Sequence, residues 1–263
     1  MIVGFIGLGN MAKAMISGMI AKKVVAPEDI IGSRRSEAER NSCAAQFGIR
    51  VTEDNIEVVK QADLLVLAIK PQYYSQILEK IKPYVEGKCI VSIAPGKSIA
   101  FLHEMLGSNC TIIRTMPNTP ALVGEGCTAV TFEEKVSVEK RGEIVHLFES
   151  FGKAYEIPES LMDVVVGVSG SSPAYVFMLI EAMADGAVLQ GMPRELAYQF
   201  AAQAVLGSAK MVLETGMHPG ELKDMVCSPG GTTIAAVQVL ENKKFRSAII
   251  EAENACIEKA KSL

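Results

Sequence analysis

The chain has 263 residues, enough for one large domain or two smaller ones with a sizeable apolar core. Hydrophobic residues make up 49% and charged residues 21%, as in soluble globular proteins, and a net charge of -4 without a basic block argues against nucleic acid as the main partner. The six cysteines are scattered without metal-ligand spacing, so we interpret them as small buried residues in a reducing compartment.

The apolar stretches are too short, or too interrupted by glycine and charge, to be read as spans of a bilayer. The N-terminus begins directly with a predicted strand and lacks the charged region of a signal peptide. We therefore expect a cytoplasmic protein with no membrane partner.

The first predicted element is an apolar strand that ends in the turn Gly7-Leu8-Gly9-Asn10-Met11-Ala12, after which a helical pattern begins. This order of strand, glycine turn and helix is the context that the dinucleotide fingerprint requires. One glycine allows the tight turn and the next lets the backbone approach a pyrophosphate, which the helix N-terminus attracts. The pattern predicts a bound dinucleotide cofactor, with a plain strand–turn–helix as the alternative.

The second predicted strand, residues 30–33, ends in Ser33-Arg34-Arg35. NAD-specific folds usually place an acidic residue at this point, where it holds the ribose 2′-hydroxyl. A hydroxyl group and two guanidinium groups would instead bind a 2′-phosphate through charge-assisted hydrogen bonds. We therefore expect NADPH as the cofactor, with NADH possible. An exposed basic pair in a turn is the alternative.

The next predicted elements are a helix over residues 36–48, with Ser36 as N-cap and Glu39 in the capping-box position, a short strand near 49–51 and a helix that opens at Asn55. An almost unbroken apolar run over residues 62–69 is typical of a buried parallel strand. The ligand crevice of such sheets lies at the carboxyl ends of the strands. The residues predicted to line it are Ala68, Ile69, Lys70 and Pro71, although Lys70 is equally well explained as a solvated turn residue.

The alternation continues with predicted helices at residues 73–84, 99–106 and 138–151 and predicted strands at 89–93, 111–115, 127–132 and 154–157. The double-proline loop Met116-Pro117-Asn118-Thr119-Pro120 lies beside the expected crevice, where Asn118 could orient a nicotinamide or a substrate, or form an ordinary Asx turn. Together these elements predict an α/β fold with a doubly wound, mostly parallel, Rossmann-like sheet of about eight strands and a break near Pro158.

Beyond the break only helical patterns remain, at residues 173–190, 193–215, 219–226, 232–242 and 246–261. The first two are apolar on more than one face, so a domain of this size needs a partner to cover that surface. We expect residues 1–158 to form a dinucleotide-binding domain and residues 159–263 an all-helical domain for substrate binding and dimerisation.

A small-residue loop, Ser228-Pro229-Gly230-Gly231-Thr232-Thr233-Ile234, interrupts the helical domain and leads into a helix. Two glycines let the backbone approach a ligand, and the unpaired N–H groups of the helix start can bind a carboxylate without Arg or Lys. The threonine hydroxyls can add hydrogen bonds. A glycine turn with a threonine N-cap is the alternative.

With these motifs the chain resembles the pyrroline-5-carboxylate reductase family along nearly its whole length. The resemblance is carried by residues 5–12, 68–71, 114–120, 168–177, 218–224, 228–234, 239–241 and 245–246. One departure is Ser172, where the family commonly has glycine. The resemblance implies the last step of proline biosynthesis, in which hydride passes from NADPH to the C=N carbon of 1-pyrroline-5-carboxylate and L-proline forms.

The resemblance also implies roles for individual residues. Thr233 matches the family residue that hydrogen-bonds the imine nitrogen. Since a hydroxyl group is too weak an acid to protonate this nitrogen outright, the implied role is to orient and polarise it. Glu159 matches a carboxylate on the substrate side, although a helix first-turn charge is the other explanation. The substrate residues are then Glu159, Ser228, Gly230, Gly231, Thr232 and Thr233. The cofactor residues are Ile6, Gly7, Leu8, Gly9, Asn10, Met11, Ser33, Arg34, Arg35, Asn55, Ala68, Ile69, Lys70, Pro71, Ala94, Met116, Pro117 and Asn118. No metal is required.

Related enzymes form dimers whose helical domains interlock, and some build rings of dimers, so the resemblance implies at least a homodimer. One rival is a 3-hydroxyacid dehydrogenase-like enzyme with a catalytic lysine; Lys210 fits superficially, but the asparagines that normally follow are absent. The other rival is a non-catalytic nucleotide-sensing protein.

Overall fold

A computed structural model describes residues 1–262 and divides the chain into two units. The first unit contains Met1–Ser171 together with the chain end from Cys256, and the second contains Ser172–Ala255. The boundary between the two units follows Ser171 and so lies later in the chain than the predicted domain boundary between residues 158 and 159. The physical reason is that residues 159–170 form a helical segment that belongs to the first unit, where Arg114 of the sheet binds it through two ion pairs.

The first unit is built on one eight-stranded sheet within the described residues, in the order β3-β2-β1-β4-β5-β6-β7-β8. Neighbouring strands are parallel except for the antiparallel pair β6 and β7. The fold class predicted from the sequence is confirmed. The strands are β1 (Val3–Ile6), β2 (Ile30–Ser33), β3 (Arg50–Thr52), β4 (Leu64–Leu67), β5 (Cys89–Ser92), β6 (Thr111–Met116), β7 (Gly126–Phe132) and β8 (Gly152–Glu156).

Over the described residues, six helices lie between strands of the first unit and a seventh follows β8: α1 (Asn10–Ala21), α2 (Glu37–Phe47), α3 (Asn55–Gln61), α4 (Tyr74–Ile81), α5 (Ile99–Leu106), α6 (Val138–Glu149) and α7 (Met162–Val165). Helix α2 begins and ends where its capping residues predict: the Ser36 hydroxyl accepts from the Glu39 N–H, and Gly48 ends the helix with φ of 68°. Helix α4 is shorter than predicted, because 3₁₀ turns at Pro71–Tyr73 and Lys82–Tyr84 replace both of its ends.

The sequence does not predict α7 or the π-helix that follows it at Val166–Gly170. Both are too short to show a clear helical periodicity, and they run without interruption into the first long helix of the second unit. A π-helical turn is rare and occurs frequently at functional sites.

Apolar side chains fill both faces of the sheet. Every residue of β1 and β4 is buried, as expected of parallel strands covered by helices on two sides. Phe5 and Leu64 belong to the core on one face, and Leu65 and Leu67 belong to the core on the other. Each fully buried side chain of this size stabilises the fold by about 2 kcal/mol, so the two cores hold the strand ends in fixed positions.

The second unit is entirely helical over the residues described. Its helices are α8 (Ser172–Leu189), α9 (Arg194–Thr215), α10 (Pro219–Val226), α11 (Thr232–Asn242) and α12 (Phe245–Lys261), the last of which ends in the first unit. Large apolar side chains of α8 and α9 are exposed, among them Phe177, Met178, Phe200 and Leu213. This exposure agrees with the expectation that the helical region requires a partner.

The expectation that no stretch could cross a bilayer is wrong by length and composition. The short helices after Pro158 run on into α8, so residues Glu159–Leu189 form 31 continuous helical residues with a mean hydropathy of 1.5 over their most apolar window, 11% of which is buried. One such helix is weak evidence for a membrane span, because an apolar helix that packs on another protein passes the same test.

Candidate functional site

The glycine turn after β1 has the geometry that a dinucleotide requires. Gly7 has φ of 95°, and a Cβ atom there would lie 2.6 Å from the Ala68 carbonyl oxygen, so the turn packs directly on the end of β4. A Cβ atom on Gly9, in contrast, would have no neighbouring atom within 4 Å. Gly9 is also the N-cap of α1, and no side chain caps the first backbone N–H groups of this helix. These features fit a pyrophosphate.

A cavity of about 320 Å³ lies next to this turn. Seven of the predicted cofactor residues line it, namely Ile6, Gly7, Ser33, Arg34, Arg35, Asn55 and Ile69. The lining also includes residues that the sequence analysis does not place in the site, namely Ser36, Glu39, Glu53, Tyr73 and Ile77. The structure therefore brings the glycine turn and the basic end of β2 to one cavity.

The hydroxyl group of Ser33 joins two of these elements. It donates to the Asn55 side-chain oxygen over 2.6 Å, and Asn55 is the first residue of α3. The end of β2 and the start of α3 are thus fixed relative to each other. Both groups are polar and lie where the ribose of a cofactor is expected.

Arg34 has a partner that the sequence analysis did not assign. Its Nε donates to Glu39 Oε2 over 2.7 Å and its Nη2 to Glu39 Oε1 over 2.6 Å, a bidentate pair. The side-chain hydrogen bond to Glu39 raises the pKa of Arg34, and the same bond lowers the pKa of Glu39. In a capping box the Glu39 carboxylate would accept from the Ser36 backbone N–H, but here it binds Arg34. The sequence signal for this ion pair is the acidic residue Glu39 five positions after Arg34.

The other predicted cofactor residues do not line this cavity. They are Leu8, Gly9, Asn10, Met11, Ala68, Lys70, Pro71, Ala94, Met116, Pro117 and Asn118. All follow the carboxyl ends of β1, β4, β5 or β6, apart from Met116, which is the last residue of β6. Their shared edge of the sheet is the one where such folds bind ligands, and their individual roles stay predictions.

Asn118 is engaged within the protein. Its Nδ2 donates to the Ser169 carbonyl over 3.0 Å, and its Oδ1 accepts from the Cys127 N–H over 2.8 Å. The residue is 7% exposed. The loop after β6 is thereby tied both to the π-helix and to β7, which is a structural role beside the predicted one at the cofactor.

Arg114 is a buried charge that the sequence analysis included only within a motif. It is 4% exposed, and its guanidinium binds Glu159 over 3.2 Å and Asp163 over 2.9 Å. Glu159 Oε1 also accepts from the Ile99 N–H over 2.8 Å, at the start of α5. Glu159 therefore links β6, α5 and the helical segment, and its predicted contact with substrate stays a prediction.

The loop before α11 has the features of an anion-binding turn. Gly230 has φ of 69°, and the Gly231 N–H donates to the Ser228 carbonyl over 3.0 Å. The N-cap of α11 is Gly231, without a side-chain cap, so the alternative of a threonine N-cap does not fit. An open cleft of about 560 Å³ includes both glycines. Thr232 is exposed and Thr233 half-buried, so backbone N–H groups and hydroxyls at this helix start are available to a carboxylate.

Comparison with protein families gives two matches. Residues 159–263 match the family model for pyrroline-5-carboxylate reductase dimerisation, and residues 2–96 match the one for NADP oxidoreductase, coenzyme F420-dependent. The first covers the helical segment and the second unit, and the second covers the glycine turn and the cavity.

Curated relatives are similar over almost the whole chain. The pyrroline-5-carboxylate reductase of Escherichia coli (strain K12) is 53% identical over 262 residues, covering 99% of this chain and 97% of the relative. That of Methanosarcina acetivorans is 44% identical with the same coverage. Among solved structures, the Plasmodium falciparum pyrroline carboxylate reductase with NADP bound is 33% identical, with a TM-score of 0.91, and covers 99% of this chain and 97% of that chain. The Streptococcus pyogenes enzyme is 34% identical with a TM-score of 0.90, over 99% and 98% of the two chains.

Proposed function

The chain belongs to the pyrroline-5-carboxylate reductase family and reduces 1-pyrroline-5-carboxylate to L-proline with NADPH, and we propose which of its residues bind the two reactants. Curated pyrroline-5-carboxylate reductases match 99% of this chain, which favours this function over a hydroxyacid dehydrogenase or a non-catalytic nucleotide-sensing protein.

The first part of the proposal concerns the cofactor. The uncapped start of α1 and the open space beside Gly9 support a pyrophosphate at this turn. The cavity lined by Ser33, Arg34 and Arg35 supports a 2′-phosphorylated ribose next to it. When bound, NADPH supplies the hydride that reduces the carbon of the C=N bond. The protein binds the phosphates and orients the nicotinamide at the carboxyl edge of the sheet.

The second part concerns the substrate, and the observation that carries it is the uncapped N-terminus of α11. Gly231 provides no side chain to the first N–H groups of this helix, and the substrate is a small anion whose carboxylate can accept from them. The dipole of α11 also favours a negative charge at this end. Gly230, Gly231 and Thr232 then hold the carboxylate without a Lys or Arg side chain.

Thr233 is one residue further into α11 and half-buried. A hydroxyl at this position can hydrogen-bond the imine nitrogen while the neighbouring N–H groups hold the carboxylate. As hydride reaches the carbon, the electron pair of the C=N bond moves to nitrogen, and the nitrogen keeps or takes up one proton. Thr233 orients and polarises this nitrogen, and the proton is carried by the iminium or supplied by water.

The assembly is the third part. Exposed apolar side chains on α8 and α9, together with the dimerisation match over residues 159–263, support a homodimer formed through this region. A partner chain would also cover the apolar helix Glu159–Leu189. A ring of dimers is the larger assembly that the family resemblance allows. All six cysteines are free thiols, which supports a reducing compartment such as the cytoplasm.

The test of this assignment is turnover by the purified full-length protein. On adding 1-pyrroline-5-carboxylate, we expect NADPH absorbance to fall and L-proline to appear in equal amount by chromatography. A hydroxyacid such as 3-hydroxyisobutyrate with NADP is the control and should give no turnover. Protein that binds NADPH but never oxidises it with the imine would contradict the proposed site.

A further inference from the structure

Arg34, which we propose binds the 2′-phosphate of the cofactor, is also paired with Glu39 in the cofactor cavity. Glu39 lines the same cavity as Arg34, and two parallel hydrogen bonds join their side chains. These bonds use the Nε hydrogen and one Nη2 hydrogen. A guanidinium has five N–H donors, so three remain for another anion. Glu39 therefore orients Arg34 without consuming its capacity to bind a phosphate.

The backbone beneath this pair is held by a different residue. Arg40 Nη1 donates to the carbonyl oxygens of Arg34 and Arg35 over 2.8 and 2.7 Å, and Arg40 also lies 3.6 Å from Glu53. The loop after β2 is thus fixed independently of Glu39. A change at Glu39 acts on the charge and orientation of the Arg34 side chain rather than on the course of the chain.

The position of the Glu39 carboxylate has opposite consequences for the two dinucleotides. A 2′-phosphate bound by Arg34 would lie within a few ångströms of this carboxylate and be repelled by it. A ribose 2′-hydroxyl, in contrast, can donate to a carboxylate, as it does to the acidic residue that NAD-specific folds place at this strand end. From this geometry we propose that Glu39 is a specificity-determining residue that limits the preference for NADPH and lets the same cavity accept NADH.

This inference rests on the proposed cofactor cavity and makes a prediction about one charge. Glu39→Gln removes the negative charge but keeps an oxygen that accepts from the guanidinium. Glutamine also suits the N3 position of α2 as well as glutamate does, so the helix start should be preserved. Repulsion between one carboxylate and one phosphate at about 6 Å in a water-like dielectric corresponds to about a 5- to 10-fold change in affinity.

The experiment is a binding titration of the full-length protein with NADPH and with NADH, followed by nicotinamide fluorescence without substrate. The matched control is Glu37→Gln, since Glu37 is an exposed carboxylate in the first turn of the same helix and does not line the cavity. We expect Glu39→Gln to raise the ratio of NADPH to NADH affinity about 5- to 10-fold and Glu37→Gln to change it less than about 2-fold. The gain in Glu39→Gln should shrink at high salt, which screens the repulsion.

The inference is overturned if Glu39→Gln leaves the affinity ratio within 2-fold of wild type, lowers it, or has the same effect as Glu37→Gln. These results would leave the proposed function intact, because wild-type protein would still bind both dinucleotides. If wild-type protein binds neither dinucleotide, the cavity assignment and the role of Glu39 both fail. Circular dichroism of each variant shows whether α2 and the fold are retained.

Discussion

At the residue scale, single side chains in this protein serve a structural partner and a proposed ligand at once. The bidentate bonds between Arg34 and Glu39 show how a basic residue can be oriented before any anion arrives. Glu159 similarly joins Arg114 and the start of α5 through one oxygen atom. Such side chains are fixed by their structural partner, so their ordering contributes less to the cost of binding a ligand.

Thr233 gives the sharpest residue-scale test of the mechanism. We expect Thr233→Ala to lower kcat about 10- to 1000-fold while the Kd for NADPH is retained, because one oriented hydrogen-bond donor to the reacting nitrogen is lost. Thr233→Ser keeps the hydroxyl and is the control, with most of kcat expected to remain. Steady-state kinetics with a parallel cofactor titration measures both quantities. An unchanged kcat in Thr233→Ala would remove the hydroxyl from the mechanism.

At the element scale, buried and half-buried polar groups hold together segments that are distant in the sequence. Asn118 joins the loop after β6 to the π-helix and to β7, and Glu133 joins the chain after β7 to α5 and β6. Neither contact follows from helical or strand periodicity. Both depend on a partner at least nine residues away, so they form only once the sheet and its helices are in place.

For Asn118 we predict a loss of stability that is larger than any loss of cofactor affinity. Asn118→Ala leaves the Ser169 carbonyl and the Cys127 N–H without their partner, at a cost of about 2–4 kcal/mol in the free energy of unfolding. Asn109→Ala, at an exposed position, is the control and should change it by less than about 0.5 kcal/mol. Urea unfolding gives the stability, and a titration with NADPH gives the affinity. Equal stability of both variants would show that the two hydrogen bonds contribute little.

Glu133 makes stability depend on pH in a direction that can be worked out. Burial alone raises the pKa of its carboxyl, but the N–H of Ile112 at 2.5 Å and the ring of His103 at 2.7 Å outweigh burial, so the pKa is lowered. A lowered pKa means that the contribution to stability is present above the unfolded value of about 4.3 and is lost as pH falls through the folded value.

We therefore expect Glu133→Gln to lower the midpoint of thermal unfolding at pH 7, by about 2–4 °C, because the charged acceptor of both bonds is lost. The difference from wild type should begin to shrink as the pH falls below the unfolded value of about 4.3 and should be lost as the pH falls through the lowered folded value. Glu134→Gln, at the exposed neighbouring position, serves as the control. Calorimetry at a series of pH values measures both effects, and a difference that stays constant down to pH 3 would contradict this account.

At the scale of the whole molecule, the second unit exposes large apolar side chains, among them Phe177, Met178, Phe200 and Leu213. Its helices α8 and α9 have few buried residues, in contrast to the strands of the first unit. The proposed homodimer explains both the exposure and the hydropathy of Glu159–Leu189. The proposed interface and the proposed substrate loop before α11 therefore lie in the same unit.

The assembly can be tested with one charge. Phe177 of α8 is 63% exposed, and Phe177→Glu would place a charge in the proposed interface, so we expect the dimer to dissociate in sedimentation velocity at micromolar concentration. Val138 of the first unit is 80% exposed, and Val138→Glu should leave the dimer intact. A wild-type protein that sediments as a stable monomer would refute the dimer.

The sequence by itself determined the strands, the longer helices and their order. The strand pattern, Ser36 at the start of α2 and Gly48 at its end act through neighbours in the chain, so they can be read without the fold. The helical segment between Pro158 and α8 was missed because its short pieces show no clear period and are held by Arg114 of a distant strand.

The glycine turn Gly7-x-Gly9 and the motif before α11 were readable for the same local reason, since each needs only a turn and a helix start. Only the tertiary structure decided that Asn118 ties the π-helix to β7 and that Glu159 binds Arg114. Those choices depend on which side chains meet after the strands have paired and the helices have packed. Periodicity and capping act over a few residues, whereas hydrogen bonds and ion pairs depend on distances in space that the completed fold sets.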